Sequence, residues 1–172
     1  MAENLRTTKY NDGTPIPNVK DKDAWGNSEI GKYCWYNNST NYEAVFGALY
    51  NYYTVNTDKL CPSGWHVSSD DDWKTLGNEL GMNSGIKLKE AGTTHWKTST
   101  NATNETGFPA LPGGLRYNTG NFTSVNTMGA WWTSFPVGVK KAFGIVMYTH
   151  KSPLEKPAYE MSSGLSVRCV KD

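Results

Sequence analysis

Three cysteines, three histidines and one run of acids are the residues of this 172-residue chain whose types invite a chemical reading. Cys34, Cys61 and Cys169 form no C-x-x-C pair, and His66, His95 and His150 are too far apart in sequence for zinc-ligand spacing. A metal centre is the weaker reading, and no cofactor is expected. Nucleophilic catalysis has no better footing, because no serine or cysteine sits in a G-x-S-x-G elbow and no histidine is flanked by a glycine-rich oxyanion loop. Asp70-Asp71-Asp72 gathers three carboxylates, the raw material of a divalent-cation site or an acid/base pair. The same run follows Ser68-Ser69, however, and acids are favoured at a helix start by the macrodipole. A cap explains them better. Cys61 and Cys169 joined by a disulfide would close a long loop, for which the chain-entropy model gives roughly 4–5 kcal/mol. Three reduced, buried thiols are the alternative, and the residues alone leave the two open.

The elements that must position these groups are unevenly marked. Ser68 with Asp71, or Ser69 with Asp72, reads as a capping box, Trp73, Leu76 and Leu80 recur at helical spacing, and Gly81 stops the helix. A second, weaker helix is predicted over "YEAVFGALYNYYTV", where Val45, Leu49 and Tyr52 share a face although Gly47 and the β-branched residues oppose it. Leu165, Val167 and Cys169 alternate with Ser166 and Arg168 in a closing strand. Between these, the Asn-, Thr- and Gly-rich stretch from Met82 to Gly129 carries an "LPGG" turn and only short strand fragments. Roughly fifty residues without a firm helix are unusual unless their loops are functional. Trp131 and Trp132 are neighbours, so in a strand they point opposite ways; one is expected in the core and Trp132 at the surface. Five N-x-[ST] sequons, at Asn37, Asn38, Asn101, Asn104 and Asn121, fall where Asn and Thr are abundant enough for chance to supply them.

Composition narrows the function classes. Lys and Arg number 17 against 16 Asp and Glu, and only 19% of residues are charged, so the footprint of a nucleic-acid or anionic-membrane binder is missing. Aromatic residues reach 13%, with 7 Trp and 10 Tyr, while hydrophobic residues total 37%: the apolar material is concentrated in rings with polar handles. Such rings suit both loop-rich cores and binding surfaces. The length suits one domain spanning 1–172. No apolar run approaches the roughly 20 residues of a membrane span, so no direct membrane insertion is expected, and no signal-peptide pattern opens the chain. The opening "MAENLRTTKY" carries no initiation logic of its own, and Met1 reads as an internal methionine of a longer precursor.

The segments "MAENLRTTKYNDGTPIPNV", "YCWYNN", "FGALYNYYTVNTDKLCPSGWHVSSDDDWKTL", "GTTHW", "NETGFPALPGGLRY", "WWTS" and "GLSVRCVKD" together resemble the Fibrobacter succinogenes major paralogous domain, in order and over essentially the whole chain. That family comprises secreted, lipoprotein and phage-associated modules common in Bacteroidetes. Its members usually carry a short strand before "MAENL", so the resemblance implies a chain clipped at its start. More remotely, "WHVSSDDDW" and "GLSVRCVKD" resemble the strand-to-helix step and the closing strand of the C-type lectin-like fold, as found in formylglycine-generating enzymes and retroelement-diversified variable proteins.

The resemblance implies an α+β fold of the C-type lectin-like kind: two helices, a small twisted antiparallel sheet, adjacent termini and, from about Leu111 to Ser163, a long loop-rich ligand face whose side chains are free of core duty. It favours the Cys61–Cys169 disulfide and leaves Cys34 buried and inert. It implies a secreted or cell-surface, lipoprotein-type location, or a phage particle. The enzymatic branch uses a cysteine pair in the region before the final strand, and none of the three cysteines falls there. The expected function is therefore non-enzymatic ligand binding or adhesion toward a cell-surface protein or glycan, as in retroelement-diversified or phage receptor-binding proteins. The expected ligand-binding residues are Asn118, Asn121, Thr123, Asn126, Met128, Trp132, Phe135, Phe143, Met147 and Tyr159, types that supply broad apolar contact and adaptable hydrogen bonding. A structural tip or fibre module would use the same surface.

Overall fold

The structure, a computed structural model, describes residues 1–27, 29–98 and 101–172. Its first half is built from short pieces: α1 (Lys22–Gly26), β1 (Tyr33–Cys34), α2 (Glu43–Phe46), β2 (Leu49–Asn51) and α3 (Tyr52–Val55). The helix expected over 42–55 is thus two single turns flanking a strand. Gly47 is the physical reason: it holds φ +71, and a Cβ there would meet the Leu5 carbonyl at 2.7 Å, so the chain breaks and packs against the N-terminal segment. Next come β3 (Trp65–Val67), α4 (Asp70–Leu80) and α5 (Ser84–Leu88). In α4 the register is Ser69 with Asp72: the Ser69 hydroxyl accepts from the Asp72 amide and the Asp72 carboxylate accepts from the Ser69 amide. Gly81 ends it at φ +70. Trp73 is buried, donates its indole N–H to Ser68 Oγ, and carries the helix onto the sheet.

The second half is sheet. β4 (Gly113–Arg116), β5 (Phe122–Val125), β6 (Met128–Val137), β7 (Lys141–Tyr148), β8 (Ala158–Glu160), β9 (Gly164–Leu165) and β10 (Cys169–Lys171) complete the chain. Among the described residues the main sheet runs β1-β2-β9-β4-β6-β7-β8, with β5 on β4, and β10 pairs β3 in a separate ribbon. Every pairing is antiparallel except β4 with β6. The architecture is α+β.

The loop-rich face expected over 111–163 is instead dominated by the long β6–β7 hairpin. Its residues read as disorderly because they are buried on both sides. Ala130, Trp132, Ala142 and Val146 enter one core cluster with Tyr50, Leu115 and Val167, while Trp131, Ile145 and Met147 enter another with Trp73 and Leu88 from the helices and Trp96 from the segment after α5. A strand covered on both faces loses the apolar/polar alternation that marks a half-exposed one. The closing strand also differs from expectation. Leu165 pairs into the main sheet and Cys169 into the ribbon, and the intervening Ser166 and Arg168 are as buried as Val167.

Cys61 and Cys169 are bonded through sulfur, with Cα atoms 6.0 Å apart across 108 residues of sequence. Cys34 is a free, fully buried thiol, pushed up to about 12 by burial. The two ends of the chain meet: the Met1 ammonium donates to the Cys169 carbonyl at 2.9 Å.

Buried cations, Arg168, Arg116 and Lys89 among them, hold the irregular segments together. Arg168 donates to Asn4 Oδ1 and to the carbonyls of Met1, Phe108 and Pro109; Arg116 donates to those of Val19, Lys20, Asp21 and Gly120; Lys89 donates to those of Tyr148 and Lys151. Each satisfies carbonyls that a loop would otherwise leave unpaired. Burial pulls Arg168 down to about 10 and Lys89 to about 8.

Candidate functional site

The far end of the β6–β7 hairpin carries the most ordered exposed aromatic feature among the residues expected to bind ligand. The β6–β7 register shifts between Trp132 and Pro136, which turns the strand out of the core. Trp132 is fully buried; Phe135, three residues on, is 55% exposed. Its ring lies nearly parallel to that of Phe143 on the facing strand, 6.3 Å between centroids and 13° between planes. Thr133 fixes the pair, its hydroxyl donating to the Phe143 carbonyl at 3.2 Å and accepting from the Phe135 amide at 3.3 Å. Lys156 completes the arrangement. Its ammonium sits 4.3 Å from the Phe143 ring centroid and 2.8 Å from Asp70 Oδ2, linking the platform to the first turn of α4. Val139, at the hairpin tip, is almost wholly exposed. The result is an apolar surface on a rigid hairpin, bordered by a cation whose charge is already matched.

The other expected ligand residues divide. Met128, Trp132 and Met147 are core residues with no side chain to offer a partner, which corrects their assignment to a surface. Trp132 donates its indole N–H to the Tyr50 carbonyl at 2.7 Å and packs edge-on against Tyr52. Tyr159 is half-buried beside it, 6.1 Å from the Trp132 ring, and burial pushes its phenol well above the usual value. Asn126 holds φ +64 in the turn between β5 and β6 and donates to the His95 carbonyl, a structural role. Asn118, Asn121 and Thr123 lie in the β4–β5 hairpin, with Asn121 bonded to Thr119 and Thr123 to Ser124. The ten residues therefore do not form one patch. β6 spans ten residues, about 30 Å of strand, and separates Asn126 at its start from Phe135 near its end.

A cleft of about 550 Å³ runs between α4 and β10, with Trp65, Trp73, Leu76, Phe108 and Val170 among its apolar walls and the Arg168 guanidinium at its floor. Trp73, Leu76 and Glu79 share one face of α4 at helical spacing, which is the sequence signal of a wall here. Four of the five Arg168 N–H donors are taken by oxygen partners, and Asp72, Glu79 and Lys171 add charged groups to the otherwise apolar walls. Among the described residues, no three His, Cys, Asp or Glu side chains are grouped to hold a metal ion, and no helix is long and apolar enough to cross a membrane.

The model of the Fibrobacter succinogenes major domain matches residues 1–171, and the chain belongs to that family. No curated protein and no solved structure matches the chain.

Proposed function

We propose that this member of the family is a non-enzymatic ligand-binding or adhesion module that presents the Phe135–Phe143 platform to a protein or glycan on another cell's surface. The observation that carries this reading is the parallel ring pair, more than half exposed at Phe135, on a hairpin whose inner part is locked between two cores. Exposed aromatic rings on a rigid element give large contact area with few rotors to freeze, and a flat ring face suits both an apolar protein side chain and the C–H face of a sugar. The β4–β5 hairpin, with Asn118, Asn121 and Thr123, adds hydrogen-bonding capacity at a second edge of the sheet. The Cys61–Cys169 bridge supports a secreted, lipoprotein-type or phage-borne setting, where disulfides persist. We read the architecture as C-type lectin-like; the adjacent ends, the step from β3 into α4, and the bridge from the loop before β3 to β10 support that reading. The test is a glycan array and a cell-surface pull-down with the wild-type chain, followed by affinity and melting measurements on Phe135→Ala, Phe143→Ala and Asn121→Ala. Affinity unchanged across the set would defeat the proposal.

A further inference from the structure

His66 stands between two carboxylates from different elements. On one side Nδ1 lies 2.7 Å from Asp172 Oδ1, just past the end of β10; on the other Nε2 lies 3.0 Å from Asp72 Oδ2, in the first turn of α4. A neutral imidazole has a single N–H and can donate to only one of these acceptors, whereas the imidazolium donates to both. The geometry on both sides is that of the doubly protonated ring. Asp72 is held ready as an acceptor, because the same oxygen takes the Ser69 amide at 2.7 Å and the Ser69 hydroxyl at 2.6 Å. His66 lies opposite Val170 in the β3–β10 ribbon, and the Asp172 amide closes that ribbon on the Gly64 carbonyl at 3.1 Å.

We propose that His66 is the bolt of a pH-operated latch that fastens the end of β10 to the first turn of α4 when protonated and opens when neutral. The ring's charged neighbours are Asp72 from α4, Asp172 from beyond β10 and Asp58, which lines with His66 a small cavity of about 150 Å³. All three are acids, and the bonds to Asp172 and Asp72 favour the charged ring. Lys171 does not oppose them: it pairs with Trp65, one residue out of phase with His66, and lines the large cleft instead. The pKa of His66 is raised, first by its bond to Asp172 and then by its bond to Asp72, in agreement with the geometry. What the latch governs is the wall of that cleft. Trp65, Asp72, Val170 and Lys171 all line it, so fastening β10 to α4 fixes the cleft's shape and release loosens one side.

The experiment uses the full chain. The His66 ring is titrated by NMR, and the protection of the Asp172 amide against hydrogen exchange, corrected for intrinsic rates, is compared at pH 5.5 and pH 8 in wild type, His66→Gln and Asp172→Asn. The latch requires His66 to titrate above the ordinary value of about 6.5 and to fall in Asp172→Asn. It requires Asp172 to be several-fold better protected at the lower pH in wild type and indifferent to pH in His66→Gln. His66 and Asp172 side chains are 44% and 59% exposed, so both variants retain the core, which circular dichroism checks. A His66 titration at or below 6.5, equal protection at the two pH values, or pH dependence that survives in His66→Gln overturns the latch.

Discussion

Trp131 and Trp132 are consecutive residues of one strand that serve two different cores. Trp131 packs against Trp73 and Phe108 beneath α4 and donates its indole N–H to Asn4 Oδ1; Trp132 packs against Tyr52 and Tyr159 on the opposite face and donates to the Tyr50 carbonyl. Both are fully buried, so the pair acts as a rivet through the sheet.

Truncating either ring removes a large buried side chain together with the hydrogen bond its indole N–H donates. Trp131→Ala and Trp132→Ala are each expected to cost about 3–5 kcal/mol, and at about 2–4 °C per kcal/mol for a domain of this size the melting temperature should fall by roughly 6–20 °C. Calorimetry on the two variants checks this. A drop of only a degree or two in Trp132→Ala would mean that the ring is available to a partner after all.

The Cys61–Cys169 bridge closes 108 residues and ties β10 to the turn that precedes β3. Replacing both cysteines by serine is expected to cost about 2–5 kcal/mol. Peptide mapping of the non-reduced chain should show one linked pair, with Cys34 alkylated only after denaturation, since its thiol is buried and holds its proton. Three cysteines that react together in the native chain would refute both statements.

How much of this was legible in the residues depends on whether the signal was local. α4 is legible because its start, its apolar face and its stop all lie between Ser69 and Gly81. The family resemblance carries the α+β class and the adjacent ends. The β6–β7 hairpin escapes because burial on both faces erases alternation, so "GAWWTS" and "AFGIVMY" resemble irregular apolar text rather than strands. For the same reason Met128, Trp132 and Met147 pass for surface residues, while Phe135, within the register shift, does lie outside. The carbonyl-binding roles of Lys89, Arg116 and Arg168 are set wholly by tertiary approach; in sequence they are ordinary charges.

Lys89 gives a pH prediction with a definite sign. Its folded value, about 8, lies below the ordinary lysine value of about 10.4, so between these the unfolded chain binds more protons than the folded one. Its contribution to stability therefore rises as pH increases from about 8 to about 10.4 and is flat below that window. Lys89→Met abolishes this rise and, by taking the ammonium donor away from the Tyr148 and Lys151 carbonyls, costs about 1–3 kcal/mol at neutral pH. Denaturant titrations of both proteins at pH 7, 8 and 9.5 measure it; parallel pH profiles for the two would refute the assignment.

The platform makes a prediction in which stability and binding must separate. Phe135 projects most of its ring to solvent and covers little of the core, so Phe135→Ala should change stability by less than about 1 kcal/mol, in the range of surface substitutions that touch no special feature. Phe143 is half-buried between Phe135 and the Lys156 ammonium, and its removal should cost more. For a ligand that docks on the ring pair, the order is different: truncating a central aromatic anchor typically costs ~2 kcal/mol or more in binding, about thirtyfold in affinity, and Phe135→Ala should lose at least that much despite its mild effect on folding. Once a ligand is in hand, titration calorimetry and thermal melting on the same two variants decide the matter. Weakened binding in Phe135→Ala at an unchanged melting temperature supports the platform as the site; affinity that falls only in Phe143→Ala, in step with its stability, assigns both rings to holding the hairpin together.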